Sequence, residues 1–214
     1  NTYYTIMEYY SFSKNIIAAN NFLPSDIIDK LYVDFLNLRN YFNISEWQDK
    51  EGNKKKEFYS PHCGGFDFWI TDKNVKDFEN TTILHLKSWF LHQGLLAYIQ
   101  DNFSNSVFDL LNRKLKFSIH VVSYNKEGYY NWHQDINPKN IFTMNLILQK
   151  PSNLIGGEFL FKDNNKIIKT NNTHNFFSCF PSFIWHAVKP LQADKEVSFL
   201  EQRFSIQFWW RLDE

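Results

Sequence analysis

The order of elements along the chain predicts an α+β fold, helices first and then a compact β-sandwich or barrel. Three observations carry that expectation. Apolar residues recur at helical spacing in two segments before residue 103, and short β-like runs separated by turn residues fill the chain after Leu115. Aromatic content is 19%, with 22 Phe, 11 Tyr and 7 Trp, residue types that favour pleated, half-buried surfaces.

Taken in order, Ser11 to Leu23 reads as a short extended segment whose apolar members are Phe12, Ile16 and Ile17. Pro24-Ser25-Asp26 starts a helix, followed by Ile27, Ile28, Leu31, Tyr32, Phe35 and Leu36 at helical spacing. Asn40 to Pro61 is polar and holds Lys54-Lys55-Lys56, a run predicted as a solvated loop. One continuous helix is predicted from about Thr81 to Asn102, where Ile83, Leu84, Leu86, Trp89, Phe90, Leu95, Leu96 and Ile99 describe one buried face. The predicted strands are Lys116–Asn125, Phe142–Gln149, Gly157–Lys162, Lys166–Lys169, Asn175–Phe180, Ile184–Pro190 and Phe204–Leu212. Turn signals at Asn137-Pro138, Asp163-Asn164-Asn165 and Pro181-Ser182 separate them.

Length and charge narrow the classes. A chain of 214 residues suits one domain with a real core, and no repeat or linker divides it. Its 23 Lys and Arg balance its 23 Asp and Glu, which is not the footprint of a protein that lives on nucleic acid or anionic membrane. No stretch approaches the ~20 apolar residues that span a bilayer, and the first ten residues lack a basic-then-apolar leader. Cys63 and Cys179 stand far apart in no metal-like spacing, as reduced thiols would. A cytoplasmic protein is expected. The sequence leaves the oligomeric state open.

The histidines point to a metal. His133-Gln134-Asp135 follows a strand-like run, and in extended structure residues two apart face the same side about 7 Å apart. His186 comes 51 residues after Asp135. Two imidazoles and one carboxylate on one face of a metal leave the other positions open, the ligand set of non-haem iron(II) oxygenases. His-x-Asp alone is close to a chance occurrence in a chain of this composition. What adds weight is Arg203, seventeen residues beyond His186, because a guanidinium binds a carboxylate in a two-pronged fork. Ser205 faces the same side and offers a hydroxyl.

Six ordered pieces resemble the catalytic core of the Fe(II)/2-oxoglutarate dioxygenases, in particular the prolyl 4-hydroxylase-like branch. They are Trp132-His133-Gln134-Asp135, Met144-Asn145-Leu146-Ile147-Leu148, Gly156-Gly157-Glu158-Phe159-Leu160-Phe161, Phe180-Pro181-Ser182, His186-Ala187-Val188-Lys189-Pro190 and Arg203-Phe204-Ser205-Ile206-Gln207-Phe208-Trp209. The resemblance implies a double-stranded β-helix (jelly-roll) core with the N-terminal helices packed against one sheet. It implies a single oxygenase domain over 1–214, with 1–115 as helix-rich support and 116–214 as the catalytic core. It also implies iron(II), 2-oxoglutarate as cosubstrate and dioxygen, with ascorbate as a reductant. His133, Asp135 and His186 would ligate iron, and Arg203 would hold the distal carboxylate of 2-oxoglutarate. Ser205, Tyr124 and Asn145 are further candidate cosubstrate contacts.

The match departs from the family in two places. The gap from His186 to Arg203 is longer than usual, with Gln192–Gln202 resembling an insertion, so Lys195 is a rival anchor. Where many prolyl hydroxylases carry a tyrosine on the strand after His-x-Asp, this chain has Ile147 or a neighbour. Related halogenases give the carboxylate position to halide, so Asp135 implies hydroxylation. The expected substrate is a prolyl residue in a peptide or protein. The alternatives are a free amino acid or other small metabolite, a nucleic-acid demethylase, and a cupin-like binding module. Among other residues, His120 is expected to be packed rather than ligating. His62-Cys63-Gly64-Gly65 and Gly156-Gly157 are expected turns, and Trp132, Trp185, Trp209 and Trp210 are expected in aromatic packing.

Overall fold

The computed structural model describes residues 7–44, 65–136, 139–171 and 173–213. The Lys54-Lys55-Lys56 run, Cys63, most of the His62–Gly65 turn and the Asn137-Pro138 turn lie outside the described residues. Among the described residues there are three α-helices: α1 (Ser25–Asn37), α2 (Thr82–Phe90) and α3 (Gln93–Asn102). The strands are β1 (Tyr9–Ser13), β2 (Ile16–Asn20), β3 (Asn43–Ile44), β4 (Gly65–Ile70), β5 (Leu115–Tyr124), β6 (Tyr130–His133) and β7 (Asn140–Leu148). They continue with β8 (Ile155–Gly156), β9 (Phe159–Asp163), β10 (Lys166–Lys169), β11 (Phe176–Pro181), β12 (Trp185–Val188), β13 (Leu191–Gln192) and β14 (Arg203–Leu212).

An eight-stranded sheet in the order β1-β2-β11-β7-β14-β5-β4-β3 faces a four-stranded sheet in the order β10-β9-β12-β6. The pairings are antiparallel, as a jelly roll requires. The large sheet is buried on both faces, and the period of two in β14 shows how. Phe204, Ile206, Phe208 and Trp210 enter a core shared with the helices. Arg203, Ser205 and Gln207 point the other way and are also buried. Face-to-face rings fasten the helical layer to the sheet: Phe35 of α1 stacks on Phe204 at 4.0 Å, and Phe22 stacks on Phe177 at 4.3 Å. A second cluster, with Val122, Tyr124, Ile147, Phe159, Phe161 and Phe180, fills the space between the sheets.

Several expectations change. The extended segment at 11–23 is a hairpin, β1 and β2, with a bulge between Ser11 and Ser13. The single helix expected over 81–102 is two. His92 has extended backbone (φ −63, ψ 145), and its Nδ1 accepts from the Gly94 amide at 2.9 Å, so a new helix begins there. The apolar face runs through this break unchanged, which is why periodicity alone hides it. The first 115 residues are more than helical support, since β1 to β4 complete the large sheet at both edges. Cys179 is a buried free thiol. No helix among the described residues is long and apolar enough to cross a membrane.

Candidate metal centre and cosubstrate pocket

β6 and β12 are paired so that His186 stands directly opposite His133, with ring centroids 4.1 Å apart. Asp135 lies just past the end of β6 and turns back toward both. Its Oδ1 is 3.6 Å from His133 Nε2, and its Oδ2 is 3.5 Å from His186 Nε2. The three ligand atoms all lie within 4.8 Å of one another. The same-face convergence expected of His-x-Asp is therefore present, and the strand pairing adds the third group.

Each imidazole is oriented by its own strand. His133 Nδ1 donates to the Asn131 carbonyl at 2.8 Å and His186 Nδ1 donates to the Ile184 carbonyl at 2.9 Å. A carbonyl can only accept, so the proton sits on Nδ1 and the Nε2 lone pair is left facing Asp135. Burial pushes both imidazoles down to about 4, so they are neutral at pH 7. Burial also raises the Asp135 carboxyl, against the pull of His133 and of the Thr143 hydroxyl, which donates to Oδ2 at 2.5 Å. His186 Nε2 is buried without a hydrogen-bond partner. Two lone pairs and a carboxylate converging away from water make an unfavourable cluster unless a cation lies between them. That donor set of two nitrogens and one oxygen fits a divalent transition metal.

Arg203 opens β14 opposite Tyr124 of β5. Its side chain is fully buried, and Nε, Nη1 and Nη2 all lack a hydrogen-bond partner among the described residues. The Tyr124 ring lies 5.1 Å from its Cζ. Burial brings the guanidinium down to about 10, so it stays charged at neutral pH. An anion is what such a group lacks. Gly157, in left-handed conformation (φ +71), makes the space, because a Cβ there would lie 2.9 Å from Arg203 Cδ. Gly156 (φ +85) is equally constrained, with the Pro190 carbonyl 2.5 Å from where its Cβ would be. Lys195, the rival anchor, is exposed.

A polar track runs along β14 from Arg203 toward the triad. Trp209 Nε1 donates to Gln207 Oε1 at 3.2 Å, and Gln207 Nε2 donates to Ser205 Oγ at 3.5 Å. Ser205 Oγ donates to Asn145 Oδ1 at 2.6 Å. The Ser205 hydroxyl is thus already engaged, and the free buried donor of the pair is Asn145 Nδ2. Ile147 lies in the inter-sheet core and supplies no donor where related chains carry a tyrosine. His120 is packed, as expected: it stacks on Trp69 at 4.1 Å and its Nε2 bonds Asp67 at 2.8 Å. Of the tryptophans, Trp210 is fully buried in the core, whereas Trp132 and Trp185 are partly exposed. Trp209 joins Trp69 in lining a pocket of about 480 Å³.

A model of the 2OG-Fe(II) oxygenase superfamily matches residues 119–211, the stretch that holds the triad and Arg203. Over that stretch, a little under half of the chain, the protein is similar to the 2OG-Fe(II) oxygenase superfamily. No curated protein matches this oxygenase by sequence. Solved structures share its fold. A prolyl hydroxylase from Trichoplax adhaerens, in complex with a hypoxia-inducible-factor peptide fragment, is 19% identical, with a TM-score of 0.63 over 93% of this chain and 84% of that one. A Pseudomonas putida prolyl-4-hydroxylase is 16% identical, with a TM-score of 0.59 over 92% of each chain. OsALKBH1 is also 16% identical, with a TM-score of 0.59 over 94% of this chain and 99% of that one. This oxygenase is therefore a jelly-roll dioxygenase that works with iron(II), 2-oxoglutarate and dioxygen.

Thr143, Asn140 and Asp67, the partner of His120, were not singled out from sequence. Thr143 and Asn140 both serve Asp135, the first through its carboxylate and the second by donating Nδ2 to its main-chain carbonyl at 3.1 Å. The only sequence signal for Thr143 is a hydroxyl residue in an otherwise apolar strand.

Proposed function

We propose that this oxygenase hydroxylates a prolyl residue in a peptide or protein. In this assignment His133, Asp135 and His186 hold the iron. Arg203 takes the distal carboxylate of 2-oxoglutarate, and Asn145, Ser205 and Tyr124 lie along the cosubstrate. When bound, iron and 2-oxoglutarate supply the oxidising power that inserts one oxygen atom of dioxygen into a C–H bond, with succinate and carbon dioxide as coproducts. The chain's own residues do the positioning. Asn131 and Ile184 carbonyls fix the ligand tautomers, Thr143 aims Asp135, and the Phe159 and Phe180 rings pack around His186 at 5.5 and 4.9 Å and keep water from it.

The observation that supports a peptide is the pocket lined by Trp69, Trp209 and Asn140, which reaches the triad through Asn140, whose Nδ2 donates to the Asp135 carbonyl. It is open: Lys139 and Asp72 on its rim are exposed, and Trp69 is more than one-third exposed. Its volume lies within the ~300–1,000 Å³ of ordinary ligand sites, and an open trough accepts a segment that continues on both sides of the reacting residue. The test supplies iron(II), ascorbate and 2-oxoglutarate, then screens proline-containing peptides and free amino acids for stimulated succinate release and a +16 Da product. Stimulation by peptides with oxygen added to proline is expected. Stimulation by free amino acids alone would transfer the assignment to metabolite hydroxylation.

Removing the hydroxyl that aims Asp135 tests the metal centre without touching a ligand. Thr143→Val is expected to weaken iron(II) binding roughly 10- to 100-fold, the usual cost of losing a partner of a metal ligand. Competition against a fluorescent chelator measures it, and unchanged affinity would remove Thr143 from the site.

A further inference from the structure

The pocket that Asn140 joins to the triad has a charge character that its openness does not explain. Its aromatic wall is Trp69 and Trp209, 4.9 Å apart and perpendicular, with Trp69 backed by His120. The indoles touch each other and leave no slot between them for a flat base. They form a step against which an aliphatic ring can pack. The polar wall carries three cations, Lys116, Lys139 and Arg211; Asp213 pairs with Lys116 at 2.5 Å and Asp72 with Arg211 at 2.9 Å, which leaves one cation in excess among the described residues. That is a local positive excess in a chain whose formal charges cancel.

Arg211 already shows what it binds. Its Nη1 donates to Ser118 Oγ at 3.1 Å and its Nη2 donates to Asp72 Oδ2 at 2.9 Å. The Asp72 side chain is 70% exposed and that of Arg211 29%. An exposed pair of this kind contributes little, so another carboxylate can take its place at little cost.

We propose that Arg211 selects substrates carrying an Asp or Glu close in sequence to the residue being hydroxylated, the incoming carboxylate displacing Asp72 from the guanidinium. The register along β14 sets the distance. Trp209 pairs with Thr143, whose hydroxyl holds Asp135, and Arg211, about 7 Å farther along the strand and past a register irregularity, pairs with Asn140, whose Nδ2 donates to the Asp135 carbonyl. A side chain one or two residues from the target spans that step. A free amino acid's own carboxylate lies closer than this to its β- and γ-carbons, so an acidic peptide segment fits the spacing better. The inference rests on the oxygenase assignment and on a peptide substrate, but not on proline being the target.

Binding separates the two. Titration calorimetry on protein loaded with Mn(II) and 2-oxoglutarate would compare peptides in which Glu, Gln or Lys follows a proline, the same series with Ala in place of proline, and a short single-stranded oligonucleotide. The Glu peptide is expected to bind about fivefold more tightly than the Gln peptide, the equivalent of one half-exposed charge pair. Arg211→Gln should abolish that difference, and Asp72→Asn should widen it by removing the competitor. Equal binding of Glu and Gln peptides by the wild-type protein overturns the proposal, as does failure of every peptide to bind. Tighter binding of the oligonucleotide overturns it in favour of a nucleic-acid substrate. If Ala-containing peptides keep the Glu preference and bind as well as the proline series, Arg211 stands as the selector and the prolyl assignment falls.

Discussion

Asp135→Asn is expected to reduce iron- and 2-oxoglutarate-dependent succinate formation to background while leaving the fold intact. The amide has the shape of the carboxylate, and its oxygen can still accept the Thr143 hydroxyl that now reaches Oδ2 at 2.5 Å. What it loses is the negative charge between two neutral imidazoles, and with it the anionic member of the ligand set. In the metal-free protein the substitution removes a carboxyl that burial already disfavours in its charged form, so folding does not suffer. Circular dichroism and thermal melting of the metal-free variant should match or exceed the wild type. Calorimetry with Mn(II) should show binding lost. Succinate at wild-type levels from Asp135→Asn would remove Asp135 from the metal centre, and with it the triad. His186→Gln should behave alike, because His186 Nε2 has no other partner to lose.

How much of this was legible in the sequence depended on the range of the contact. His133 and Asp135 are two residues apart, and extended backbone alone brings them to one side. His186 was legible only through its order among other elements, since the strand pairing that sets it opposite His133 is not a local property. The same holds more strongly for Thr143 and for Asp67 with His120, where contacts across 8 and 53 residues depend on register. A shift of one residue would turn either side chain to the other face. Strand β4 was missed for a related reason. Its alternation is plain once it pairs with β5, but it follows directly on a polar stretch that dominates any local window. Helix positions were legible where capping and periodicity agreed, as at Pro24 and α1. They failed where the two conflict, as at His92, because a buried stripe can pass uninterrupted across a change of helix axis. The hairpin of β1 and β2 turns at Lys14-Asn15, without the glycine or proline that signals a tight turn.

Arg203→Met is expected to move stability and cosubstrate binding in opposite directions. In the protein without cosubstrate, the guanidinium is fully buried and all three of its nitrogens lack hydrogen-bond partners among the described residues. Stripping a charge of water costs several kcal/mol after relaxation. The Tyr124 ring at 5.1 Å returns roughly 2 kcal/mol at best. The difference is a strain that only an anion relieves. Methionine fills similar space without charge, so the variant's free form should be more stable than wild type by about 1–4 kcal/mol, the range found when buried charges give way to apolar side chains. Its requirement for 2-oxoglutarate should rise roughly 100-fold or more, since losing one member of a buried charged pair costs about 2–5 kcal/mol. Thermal melting with and without 2-oxoglutarate reads both effects at once. The wild-type Mn(II) form should be stabilised by cosubstrate, and the variant should start higher and gain nothing. Lys195→Ala should change neither quantity, because Lys195 is exposed and Arg203 is not. A destabilised Arg203→Met protein with an ordinary 2-oxoglutarate requirement would mean that the guanidinium serves the fold. A larger effect from Lys195→Ala would place the anchor on the inserted segment instead. Under the proposed assignment the pair of results has a single cause: the chain keeps a charge where folding opposes it, and a cosubstrate carboxylate bound there would compensate it.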